Sequence, residues 1–120
     1  MSGDYRMKRA YSAASQADGK RVLVDRLWPR GVGREEAALD LWPIDVAPSN
    51  ELRKWLHAHR DEYAEFEARY NAELEGDAQQ AGLAEVRALH AKHTVTLVTA
   101  AKDVEHSHVP VLVKRLQEGS

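Results

Sequence analysis

Two short apolar runs, residues 21–25 (RVLVD) and 94–100 (TVTLVTA), constrain the fold more than any other feature of the chain. Both are rich in β-branched residues and nearly continuous in hydrophobicity, the pattern of strands covered on both faces of a parallel sheet. Parallel strands cannot be joined by a tight turn, and the long stretch between these two carries helical periodicity. The expected fold class is therefore α/β: one layered domain over residues 1–120, with a small, mainly parallel sheet flanked by helices.

The remaining elements follow from period and punctuation. Residues 5–11 (YRMKRAY) alternate enough for a third strand, and Ala17, Asp18, Gly19 and Lys20 form a turn signal before the next apolar run. Residues 34–41 are expected to form a brief helix, interrupted by Trp42 and Pro43. Ser49 is a good N-cap for a helix whose Leu52, Trp55 and Leu56 share one face. Tyr63, Phe66, Tyr70 and Leu74 form the stripe of a second helix over residues 61–74. Residues 79–91 form a third, with Leu83, Val86 and Leu89 or His90 on its face, and a last helix begins near Ser107, presenting Val109, Leu112, Val113 and Leu116. His90 and His93 are expected at the surface near a helix C-terminus.

Composition narrows the function. The absence of cysteine excludes disulfides, thiolate zinc sites, iron–sulfur clusters and a cysteine nucleophile. A net charge of −2 provides no overall basic field to draw the chain to nucleic acid. No apolar run approaches membrane-spanning length, and no apolar segment follows the basic N-terminal residues, so a cytoplasmic protein without a membrane partner is expected. The sequence has no P-loop and no G-x-S-x-G elbow. The glycines at 31 and 33 are followed by Glu36 where a dinucleotide motif needs its third glycine.

Ligands of open α/β sheets bind beyond the carboxyl ends of the parallel strands. Both strong strands run into charge there, Asp25 and Arg26 after the first and Lys102 and Asp103 after the second. Arg26 and Arg30 flank Trp28 and Pro29, and guanidinium groups beside an indole suit a semi-rigid wall for phosphate or carboxylate. Ser49 and Arg53, at the start of a helix, extend that set. The structural alternative is an Asp25–arginine ion pair with Trp28 as core filling. The run from 103 to 108 (DVEHSH) brings Asp103, Glu105, His106 and His108 together; if extended, its two imidazoles point the same way and serve as acid or base beside the carboxylates. Metal ligation is a lesser reading because no H-E-x-x-H spacing is present. The structural reading has Ser107 as N-cap and Pro110 in the first turn.

The stretches "RVLVDRLWPRG", "LDLW", "APSNELRKW", "EFEARYNAEL" and "AAKDVEHSHVPVL" together resemble the DUF488 family of unknown function, in its short YeaO-like branch, over nearly the whole chain. The resemblance implies a compact bacterial, cytoplasmic α/β protein of unsettled activity. It places the family's recurring polar set on Asp25, Arg26, Trp28, Arg30, Ser49, Arg53, Lys102, Asp103, Glu105, His106 and His108. Two departures stand out: Ser107 replaces a frequent asparagine, which supports capping there, and residues 57–60 (HAHR) lack the Asp-Pro step that usually separates two helices.

Two functions follow from the residues. In the first, Arg26, Trp28, Arg30, Ser49, Arg53 and Lys102 hold a small anionic ligand, while Asp25, Asp103, His106 and His108 carry proton chemistry. In the second, the chain is a non-enzymatic module for a protein partner, a nucleic acid, or a metal or haem held by histidine. Neither reading fixes a cofactor or an oligomeric state.

Overall fold

A computed structural model describes residues 5–118. Its sheet has three strands, β1 (Arg6–Arg9), β2 (Lys20–Leu23) and β3 (Val95–Thr99), in the order β1-β3-β2 with both pairings parallel. The helices are α1 (Arg34–Ala37), α2 (Asn50–Ala58), α3 (Tyr63–Glu73), α4 (Asp77–His90) and α5 (Val109–Glu118). The expected α/β class and parallel sheet are both present.

The two faces of the sheet are covered differently. Val22, Val24, Val95 and Leu97 pack against Leu52, Phe66, Tyr70, Leu83, Val86 and Leu112, so α2 to α5 all lie over one face. On the other face, Ala10, Leu23 and Val98 meet Trp28, Leu39 and Trp42. There the cover is an irregular segment, not a helical layer. α1 is only four residues long and ends where Ala38 adopts a left-handed conformation (φ 47°). Leu41 then joins the sheet through a single parallel bridge to Val22, so the expected helix over 34–41 stops halfway.

The connection from β1 to β2 has to cross β3, and Asp18 anchors it. Its carboxylate lies 3.1 Å from Lys8 Nζ on β1 and 2.7 Å from Arg21 Nη1 on β2, while its carbonyl accepts the Thr96 hydroxyl of β3 at 2.7 Å. Burial opposes ionisation, but the Ser15 N–H, Lys8 and Arg21 outweigh it and hold the carboxyl down at about 2. Gly19 follows at φ 64°, and a Cβ there would fall 2.3 Å from the Thr94 carbonyl, so only glycine fits this turn. Gly82, inside α4, has a packing reason: a Cβ would lie 2.8 Å from Val46 Cγ1, in the turn at Ile44–Val46.

One local expectation holds by a different device, and two change. α2 and α3 remain separate without an Asp-Pro step, because His59 closes α2 with its N–H on the Leu56 carbonyl and its imidazole Nδ1 donating to the Trp55 carbonyl. His90 is buried and stacks on Tyr5 at 3.9 Å instead of lying at the surface. α5 begins at Val109, with the first helical carbonyl supplied by His108; Ser107 sits one residue earlier, its hydroxyl accepting from Val109 N–H at 3.2 Å and donating to Val104 O at 2.7 Å.

Candidate functional site

The chain leaves β2 through Val24 into Asp25 and leaves β3 through Ala100, so these neighbouring strand ends open onto the same edge. Asp25 reaches across it. Its Oδ1 accepts the Thr99 hydroxyl and its Oδ2 the Ala100 N–H, each at 2.7 Å. His108, at the start of α5, brings Nε2 to 2.8 Å from the Val24 carbonyl and 3.3 Å from Asp25 Oδ1. A carbonyl only accepts, so Nε2 carries the proton and Nδ1 is the nitrogen left for other partners. Burial raises the Asp25 carboxyl pKa, but His108, Ala100 and Thr99 together bring it below the ordinary value, so the group stays ionised.

Helix-borne phenols hold the surrounding loops. Tyr70, fully buried on α3, donates to the Val46 carbonyl and sets its ring edge-on to His108, with centroids 6.0 Å apart. Tyr63 donates to Ser107 O at 2.6 Å. Burial, with Glu67 nearby, pushes the Tyr63 phenol up to about 12, and burial holds the Tyr70 phenol well above its ordinary value, so both remain donors. Arg26 spans to the start of α2, placing Nε and Nη2 each 3.2 Å from the carbonyls of Pro48 and Ala47. Ser49 caps α2 by accepting Leu52 N–H at 3.1 Å, and its hydroxyl and N–H both donate to Glu73.

The structure divides the residues singled out by sequence into three groups. Asp25 and His108 meet directly at the strand ends, and Arg26 and Ser49 are bonded around the start of α2. Trp28 and its neighbour Trp42 form an edge-on pair with centroids 5.6 Å apart over the second sheet face; their indole N–H groups donate to Val32 O and Asp25 O, each at 2.7 Å. Trp28 is thus a packing residue whose polar tip is already bonded. Arg30, Arg53, Lys102, Asp103 and His106 are exposed.

Residues 104–106 wind into a 3₁₀ turn instead of an extended segment, so the two imidazoles diverge. His106 turns outward to Asp103, Nδ1 to Oδ2 at 2.7 Å, and holds that carboxyl below its ordinary value, whereas His108 turns inward. Among the described residues, Arg30 and Lys102 have no hydrogen-bonding or ionic partner, and Arg53 has only Asn50 Oδ1 at 3.4 Å. No cluster of three metal-ligating side chains occurs among the described residues.

Sequence reasoning missed Thr99, Glu73 and the two phenol hydroxyls. The tyrosines were visible only as members of an apolar stripe. A serine N-cap and a threonine at a strand end gave no indication of which carboxylates they would meet.

A family model described as "Inactive DUF488-N3 subclade" matches residues 4–119. The uncharacterized protein Rv3073c of Mycobacterium tuberculosis (strain ATCC 25618 / H37Rv) is 43% identical over 111 residues, covering 92% of each chain. The uncharacterized protein YeaO of Escherichia coli (strain K12) is 42% identical over 111 residues, covering 92% of this chain and 94% of its own. No solved structure matches.

Proposed function

The chain belongs to the inactive DUF488-N3 subclade, and from that premise we propose a cytoplasmic, non-catalytic binding protein that takes a small phosphate- or carboxylate-bearing ligand at the C-terminal edge of its sheet. The observation that carries this reading is the division of labour at the edge. Both Asp25 oxygens accept from fixed internal donors and His108 Nε2 is held on the Val24 carbonyl, so the carboxylate serves to fix the strand ends and not as a free base. Arg30 and Lys102, on the loops that follow β2 and β3, are exposed and have donors to spare. A rigid floor with unspent cations at its rim suits anion capture more than turnover. The subclade's description as inactive agrees with that reading.

A titration with inorganic pyrophosphate and a panel of phosphorylated and carboxylated metabolites, read as a shift in melting temperature, tests the proposal, because a ligand that binds only the folded state raises stability. The expected result is a shift with at least one anion that is lost in Arg30→Ala and Lys102→Ala variants of unchanged intrinsic stability. A shift retained in both variants would remove the proposed contacts.

A further inference from the structure

β1 lies at the edge of the sheet and, among the described residues, has β3 as its single strand neighbour. Ala10 N–H donates to Thr99 O at 2.7 Å, and backbone groups alternate in direction along a strand, so the N–H and C=O of Met7 face away from β3. Among the described residues no other segment supplies a backbone hydrogen bond to Met7, whose side chain is 43% exposed. An open cleft of about 570 Å³ adjoins this edge and is lined by Arg6, Met7, Lys8, Ser15 and Asp18, among others.

The cleft carries excess positive charge. Asp18 is its carboxylate, and both oxygens are already taken by Lys8, Arg21 and Ser15. Two cations on one carboxylate leave one charge uncompensated; Arg6, exposed and without a partner among the described residues, adds a second.

We propose that the open edge of β1 docks an extended acidic segment of a partner protein, which adds as a further strand against Met7 and sets alternate carboxylates toward Arg6 and Lys8. Strand addition draws affinity from main-chain hydrogen bonds and specificity from alternate side chains. A second copy of this chain is the wrong occupant. Antiparallel self-pairing of Arg6–Arg9 would put Arg6 opposite Arg9, and in-register parallel pairing would put each cation against itself; like charges directly opposed are destabilising. The site lies away from the cluster around Asp25 and His108 and does not depend on it.

The test is fluorescence anisotropy of the full chain with a short labelled peptide alternating Glu and Val, and with its Lys–Val counterpart. The Glu peptide is expected to bind saturably and the Lys peptide not at all. Affinity should fall about tenfold in Arg6→Glu, which removes a charge-assisted contact, and by a similar factor in Met7→Pro, which removes the outward donor. Proline is tolerated on an edge strand where the N–H faces solvent, so Met7→Pro should melt close to the parent; should it not fold, Arg6→Glu decides alone. Absence of saturable binding, undiminished binding by a folded Met7→Pro or by Arg6→Glu, or displacement of the peptide by an equal concentration of oligothymidylate would each overturn the proposal.

Discussion

Replacing Asp18 by asparagine keeps the shape of the side chain and removes the charge that joins β1 to β2. In the native protein the carboxyl lies at about 2 against an ordinary 3.8, a displacement equivalent to roughly 2 kcal/mol of stability at neutral pH. Because the folded-state value is depressed, that contribution is complete well above the unfolded value and is lost as pH falls through about 4 toward 2. The variant also leaves the Arg21 guanidinium, with its side chain only 3% exposed, without its counter-ion. Breaking a buried pair from one side costs about 3–5 kcal/mol. These two figures describe the same interaction and do not add.

Urea denaturation of wild type and Asp18→Asn at a series of pH values measures the effect. The expected loss at pH 7 is about 3 kcal/mol, with the gap between the two proteins closing as the wild-type carboxylate is protonated. A gap below about 1 kcal/mol at neutral pH, the usual worth of an exposed pair, would refute the clamp, as would a gap that does not change with pH.

Other consequences are direct. Ala at position 82 must displace Val46, so Gly82→Ala should destabilise by about 1–3 kcal/mol in thermal melts despite alanine's better helix propensity. Ser49→Ala removes the α2 cap and the hydroxyl that donates to Glu73, leaving that carboxylate the backbone N–H of residue 49, and should lower stability by about 1–2 kcal/mol in chemical denaturation. His108→Ala removes an imidazole from beside Asp25; the Asp25 carboxyl, below its ordinary value in the wild type, should titrate higher in the variant when followed by carbon-13 NMR. Because the native value is depressed, the stability that Asp25 contributes should be lost on acidification and not on raising the pH. Arg30→Ala and Lys102→Ala, both at exposed positions, should leave the unfolding free energy from urea denaturation within about 0.5 kcal/mol of wild type.

The fold was legible where local chemistry decides the outcome. β-branched runs became β2 and β3, the Ser49 cap started α2, and the stripe of Tyr63, Phe66, Tyr70 and Leu74 faces the core. Less was legible where tertiary context decides. Asp18 has the composition of a turn residue, and only the β1-β3-β2 order makes it a clamp, because that order forces a short connection across the middle strand. His106 and His108 look equivalent two residues apart until the 3₁₀ turn sends one outward and the other in toward Asp25. Trp28 shows the same limit. An indole between arginines reads as a ligand wall, yet the second sheet face has no helix of its own to cover it, and Trp28 and Trp42 fill that space.

The central claim is that the loops framing Asp25 and His108 receive an anion, and the most direct measurement is a proton–nitrogen NMR titration of the wild-type protein with inorganic pyrophosphate. Binding at this edge predicts saturable shifts in the amides of residues 25–31 and 100–108, absent in a variant carrying both Arg30→Ala and Lys102→Ala. No saturable shifts, or shifts confined to β1 and the 15–20 turn, would contradict it.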